Sequence, residues 1–212
     1  YFYQFVYMIR VWARGTVDLP PAKKEDTFAF FISALNEEPV IGNLVRSILS
    51  QDYPRELIDC FVVCDACTDN THQMAEQAGA IVWDRNDLAR RGKSWAMDYG
   101  FDRILNEYGD KYDAFFVFDA DNLVSPNYTT IMNQAFDAGY LVATSYRNSK
   151  NFDSSWISAG NALWSAMLVA TVTAPNLPAW ATISASFSWF LALRTLSLLP
   201  CLVSSFERTS DF

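Results

Sequence analysis

From Thr27 onward the sequence alternates short apolar runs with longer stretches in which apolar residues recur every three or four positions. Runs of the first kind read as strands buried on both faces, and stretches of the second kind as amphipathic helices. Phe28 to Leu35, apolar except for Ser33, is the first such strand. Val40, Ile41, Leu44, Val45, Ile48 and Leu49 then share one face of a helix that Pro39 can start. Leu57 to Cys64 is the second strand, followed by a helix capped by Asp69 or Thr68 and ended near Gly79. Ala80 to Trp83 is a short third strand. Ser94 can cap the next helix, whose face carries Met97, Phe101, Ile104, Leu105 and Tyr108 before Gly109 stops it. Ala114 to Phe118 is a fourth strand, Pro126 to Ala138 a helix ended by Gly139, and Tyr140 to Ser145 a further strand. Strand-helix-strand units in this order predict an α/β fold: a mostly parallel sheet flanked by helices, with right-handed crossovers and a ligand crevice at the carboxyl ends of its strands.

The ends of the chain break this pattern. Tyr1 to Trp12 is aromatic and apolar up to Arg10, too short for a bilayer span of about 20 residues. Residues 1–14 therefore read either as a membrane-proximal segment, with Tyr and Trp beside Arg10 and Arg14, or as an amphipathic helix packed on the domain. Residues 15–26, with Pro20, Pro21, Lys23 and Lys24, read as a linker, and residues 27–164 as the α/β domain. Of 24 acidic residues, 22 fall within residues 1–153, so residues 165–212 form an atypical tail of low charge. Leu177 to Val203 is apolar enough to raise the question of a span, but Arg194, the flanking Pro178 and Pro200 and many small hydroxyl residues argue against one.

Composition narrows the function classes. A formal charge of -8 disfavours a nucleic-acid phosphate binder, since the one basic cluster is Arg90, Arg91 and Lys93. Four cysteines are too few for a stapled secreted scaffold, which points to a reducing compartment. Cys60, Cys64 and Cys67 reproduce an iron-sulfur spacing, but Phe61, Val62 and Val63 between them read as strand, so buried structural thiols are the simpler use.

Each loop after a strand then carries candidate chemistry. Asp119 and Asp121 follow the fourth strand; if the chain stays extended their carboxylates share one side, and as hard oxygen ligands they suit Mg²⁺ or Mn²⁺. An exposed acidic turn before a helix reads the same way. Asn36-Glu37-Glu38-Pro39 places polar groups at a helix start, where free N–H groups can cradle a ribose or base, or simply begin the helix. Asp65 sits just past the second strand, where a carboxylate can accept hydrogen bonds from a ligand's N–H groups. Gly92, Lys93 and the helix starting near Ser94 suit a diphosphate, although a solvated basic turn has the same composition. His72, the one histidine, lies in a first helical turn with no evident partner and is given no role; Trp95 and Met97 read as core.

In order, Ser33-Ala34-Leu35-Asn36-Glu37-Glu38, Val63 to Thr71, Arg91-Gly92-Lys93 and Asp119-Ala120-Asp121 resemble the nucleotide-sugar half of a family 2 glycosyltransferase with the GT-A fold, over about Thr27 to Trp164. The resemblance implies a donor site lined by Ala34, Asn36, Glu38, Asp65, Lys93, Asp119 and Ala120, with Asp65 reading the base and Lys93 near the diphosphate. It implies a divalent cation, Mn²⁺ or Mg²⁺, on Asp119 and Asp121. The implied reaction moves a sugar from a nucleoside diphosphate donor, taken to be UDP-linked, to an acceptor hydroxyl with inversion. The implied acceptor is a glycan or lipid-linked molecule at the cytoplasmic face of the cell membrane, as in cell-surface polysaccharide synthesis. The family's downstream carboxylate base and its Gln-x-x-Arg-Trp motif have no match, so the expectation is a chain truncated or altered after about Trp164, without the general base and acceptor site. Two other classes remain open: a nucleotidyltransferase on a related sheet, which would normally carry a glycine-rich first loop, and a non-catalytic membrane-tethered binding piece.

Overall fold

A computed structural model describes residues 19–143 and 191–193. The chain divides into two units, residues 1–18 with 143–190 and residues 19–142 with 191–212, and the second contains nearly every element described. The segments expected at 1–14 and 165–212, apart from 191–193, lie outside the described residues. Among the described residues no helix is long and apolar enough to cross a membrane.

Strands β1 (Phe28–Ala34), β2 (Ile58–Asp65), β3 (Ile81–Arg85) and β4 (Ala114–Asp119) alternate with helices α1 (Glu38–Leu49), α2 (Thr71–Gln77) and α3 (Lys93–Tyr108). Helix α4 (Tyr128–Asp137) follows, and two short strands, β5 (Val142–Ala143) and β6 (Leu191–Leu193), complete a sheet of order β3-β2-β1-β4-β6-β5. The pairs β1–β2, β1–β4 and β2–β3 are parallel, as the alternation predicts. The exception is β6, antiparallel to β4 with Phe116 opposite Ala192.

The sheet is buried on both faces because its strands are apolar on both. Phe28 through Ile32 are wholly buried, each large side chain contributing about 1.5–3 kcal/mol. On one face Phe31, Phe61, Val63, Trp83, Phe115 and Val117 pack against Met97, Phe101 and Ile104 of α3. On the other, Phe28 and Phe116 meet Phe136 of α4, and Phe118 meets Tyr128. Helix α3 lies close to the sheet at Gly100, where a Cβ would overlap the Phe31 ring and stand 3.0 Å from Val63 Cγ2.

Several helix starts differ from expectation, each for a local reason. Helix α2 begins after Asn70, and Asp69, one of its two expected caps, does accept from its first N–H, that of Thr71 at 3.1 Å, while its other oxygen accepts from Glu38 N–H of α1 at 3.2 Å. Ser94 lies inside α3, whose first residue is Lys93; Gly92 precedes it at φ 118°, a conformation that favours glycine. Helix α4 starts at Tyr128, two residues late, after a turn closed by Tyr128 N–H to the Ser125 carbonyl. Residues 19–26 contain no helix or strand, but Asp26 is buried and its N–H donates to Asn133 of α4, so the segment expected as a linker is fastened to the domain.

Candidate nucleotide and metal site

Chain order reverses at β1, which has β2 on one side and β4 on the other. Such a switch point leaves room between the loops leaving two adjacent strands in opposite directions. Ser33 stands between Val63 and Asp119 in register, so the loops after β1 and β4 open side by side at the carboxyl edge.

Two of these loops are laced together. Asn36 sits at φ 55°, which asparagine tolerates, and its Oδ1 accepts from Thr68 N–H at 2.8 Å. Glu38 accepts from the backbone and side-chain N–H groups of Asn70, both at 3.1 Å. Glu37 N–H donates to Thr71 Oγ1 at 2.8 Å, and the Cys67 thiol donates to the carbonyl of buried Ala34 at 3.4 Å. The side chains of Asn36 and Glu38 therefore hold the first two loops in shape.

Asp65 ends β2 in a different setting. It is nearly buried, Oδ1 takes Nη1 of equally buried Arg85 at 2.5 Å, and Oδ2 accepts from Gly92 N–H at 3.1 Å. Arg85 in turn donates to the Arg90 carbonyl at 2.5 Å. One carboxylate and one guanidinium thus fix the loop that leads into Lys93. A carboxylate has about four lone-pair positions, so these two bonds leave acceptor capacity on Asp65.

Lys93 opens α3 and its ammonium is ion-paired to Asp119, joining the third loop to the fourth. The Asp119-Asp121 geometry is a turn and not the extended chain expected from the sequence. Strand β4 stops at Asp119, and the backbone and side-chain N–H groups of Asn122 both donate to the Asp119 carbonyl, at 3.2 and 2.9 Å. The turn buries Ala120 and leaves Asp121 exposed. Burial, followed by the charges of Asp121, Asp69 and Asp119, raises the Glu37 carboxyl above its ordinary value, which marks a concentration of negative charge between the first and fourth loops.

The structure thus brings Lys93 and Asp119 into contact with Asp121 close in the same turn, sets Asp65 beside their loop through Gly92, and assigns Asn36 and Glu38 to bracing. Two contributors escape a reading by motif. Glu37 stands in the Asn36–Pro39 motif with nothing in the sequence to single it out, and Arg85 becomes visible only through the Asp65–Arg85 register. His72 does have a partner, Asp84, with Nδ1 2.9 Å from Oδ1. Cys60 and Cys64 are buried in β2, and burial pushes the Cys60 thiol up to about 12, in keeping with a structural thiol.

A family model described as "Glycosyltransferase like family 2" matches residues 25–180, past Trp164 where the motif resemblance ends. Among solved structures, the mannosyltransferase PcManGT from Pyrobaculum calidifontis, in complex with GDP-Man and Mn²⁺, is 18% identical with a TM-score of 0.64, over 93% of this chain and 54% of that one. The glucosyl-3-phosphoglycerate synthase of Mycobacterium tuberculosis, in complex with UDP, is 21% identical with a TM-score of 0.50, over 80% of this chain and 57% of that one. The chain therefore spans little more than half the length of either, and at these identities the likeness is one of fold. A comparison with curated proteins finds no match.

Proposed function

The chain belongs to the family 2-like glycosyltransferases and has their GT-A, Rossmann-like sheet, and on that premise we propose that it binds a nucleoside diphosphate sugar at the β1/β4 switch point and transfers the sugar to an acceptor hydroxyl. The observation that carries this reading is the meeting of Lys93, Asp119, Asp121 and Glu37 at one sheet edge. Three carboxylates facing one ammonium favour a cation over an anion, and their hard oxygens fit Mg²⁺ or Mn²⁺. Asp119 and Asp121 would hold that ion, which would supply positive charge against the departing diphosphate.

The remaining roles fall to groups fixed by the fold. Lys93 is held where a phosphate oxygen can replace or share its Asp119 contact, placing a point charge on the leaving group. Asp65 turns its unused acceptor positions toward a base N–H, while Arg85 and Gly92 keep its orientation. Asn36, Glu38 and the Ala34 carbonyl keep the ribose-side loops closed on each other. In this reading the donor is UDP-linked and the transfer inverting, with the general base outside residues 27–164. The acceptor is a glycan or lipid-linked molecule at the cytoplasmic face of the membrane, a placement supported by the aromatic and basic residues of 1–14.

Calorimetric titration of a uridine diphosphate sugar with and without Mn²⁺ tests the proposal. Binding should strengthen steeply with the metal, and that gain should be lost in Asp121→Asn. No binding under either condition, from protein with native circular dichroism, would reject the site.

A further inference from the structure

We propose a second metal site, separate from the carboxylates of the switch point, in which Cys64, His72 and Asp84 bind a borderline-soft divalent ion such as Zn²⁺. Among the described residues these three form the group of potential ligands whose sulfur, nitrogen and oxygen atoms all lie within 4.8 Å of one another. They come from three separate elements. Cys64 is buried in β2, Asp84 is its register partner on β3, and His72 lies in the first turn of α2.

The ligand atoms lie within reach of a single tetrahedral ion. Bonds of about 2.0–2.1 Å to nitrogen and oxygen and 2.3 Å to sulfur put neighbouring ligand atoms roughly 3.3–3.6 Å apart. His72 Nδ1 and Asp84 Oδ1, now 2.9 Å apart, would open by a few tenths of an ångström around an ion. Cys64 is the anchor, since it is set by the strand, while His72 and Asp84 are partly exposed and already paired with each other. The Cys67 thiol is hydrogen-bonded to Cys64 and lies 3.4 Å from both the Ala34 carbonyl and the Asn36 N–H. The fourth position is therefore open to water or to Cys67, beside three protein ligands.

The donor set decides which ion. Mixed thiolate, imidazole and carboxylate ligands select Zn²⁺ and its spectroscopic substitute Co²⁺ over Mg²⁺ or Mn²⁺, which prefer oxygen alone. The two sites thus discriminate by ligand softness while standing at the same edge of the sheet. Bound metal would tie β2, β3 and α2 together, so it should also raise the thermal midpoint as any ligand of the folded state does.

Co²⁺ titration of the reduced, chelator-treated chain tests this. One equivalent should give a near-ultraviolet thiolate charge-transfer band with visible bands of tetrahedral intensity, and Zn²⁺ should displace them. Asp121→Asn should leave the bands intact. His72→Gln, a change at a partly exposed site, should weaken Co²⁺ by more than the about 10- to 100-fold that loss of an outer partner costs, and Cys64→Ser should remove the charge-transfer band. The proposal is overturned if the wild-type chain shows no such band, or if the band survives in folded Cys64→Ser. Should Cys64→Ser not fold, His72→Gln decides alone, and unchanged affinity there would overturn it.

Discussion

Replacing Arg85 with methionine tests whether the Asp65–Arg85 pair is what holds the third loop. Both side chains are only 7% exposed and their contact is 2.5 Å, so the substitution leaves a carboxylate in the interior that keeps its bond from Gly92 N–H but loses its counter-charge. Breaking a buried pair from one side costs about 3–5 kcal/mol, a large part of the roughly 5–15 kcal/mol that holds a domain together. With a urea slope of about 2 kcal/mol per molar, the midpoint should fall by roughly 2 M. Chemical denaturation followed by circular dichroism reads that shift. The companion variant Asp65→Leu/Arg85→Met discriminates the cause. With both charges gone, the hydrogen bonds of Gly92 N–H and the Arg90 carbonyl and a 3.7 Å ion pair with half-exposed Asp87 are lost but no charge is left buried, so the double variant should be more stable than Arg85→Met alone. A loss under about 1 kcal/mol in the single variant would refute the reasoning, as would a double variant less stable than the single one.

Gly100→Ala should destabilise the domain by about 1–3 kcal/mol in spite of a helix-propensity gain near 1 kcal/mol, because the wholly buried Phe31 ring is stacked on Phe101 and cannot yield; thermal denaturation measures it. Glu37 binds its proton more tightly in the folded than in the unfolded chain, so stability should decline as pH rises from its ordinary 4.5 through the raised folded value. Glu37→Gln should flatten that part of the stability-pH curve and leave the domain more stable at neutral pH. Lys93→Met should weaken UDP binding by about 10- to 150-fold, the worth of one charge-assisted hydrogen bond, as read by calorimetry in saturating Mn²⁺.

The parallel sheet was legible because strands such as Phe28–Ala34 and Ala114–Asp119 are apolar on both faces and the intervening helices carry one apolar stripe. What escaped the sequence depends on register and on hydrogen bonds between distant loops. Asp65 looks like a ligand-facing carboxylate from its place after a strand; only its pairing opposite Arg85, 20 residues on, shows that most of its charge is spent on the fold. Asp69 has the composition of a helix cap, yet it divides its oxygens between α1 and α2, a choice set by the nearness of the two helix starts at the switch point. The carboxylates of Asp119 and Asp121 were expected to share a side through extended geometry. Strand β4 instead stops at Asp119 and enters a turn that Asn122 closes, a turn whose residues give no period to read.

That turn makes an electrostatic argument for metal dependence that no single motif supplies. Asp119 is already committed to Lys93, and burial together with the charges of Asp121, Asp69 and Asp119 raises the Glu37 carboxyl above its ordinary value. A diphosphate entering this edge would add negative charge to a region where three carboxylates face one ammonium. Two unit charges about 4 Å apart interact by roughly 4 kcal/mol at an effective dielectric of 20, so each uncompensated carboxylate opposes the ligand by an amount comparable to what a good hydrogen bond returns. Lys93 cannot reverse that sum alone, since any gain on a phosphate is drawn from its pairing with Asp119. A divalent ion would change it: Asp119 and Asp121 would hold it, Lys93 would be released to the phosphate, and repulsion would become attraction. Donor affinity should therefore rise steeply with Mn²⁺ in the wild-type chain. In Asp119→Asn, which removes both a proposed metal ligand and an ion-pair partner of Lys93, the residual metal-free affinity for UDP should increase while the metal-dependent part is lost.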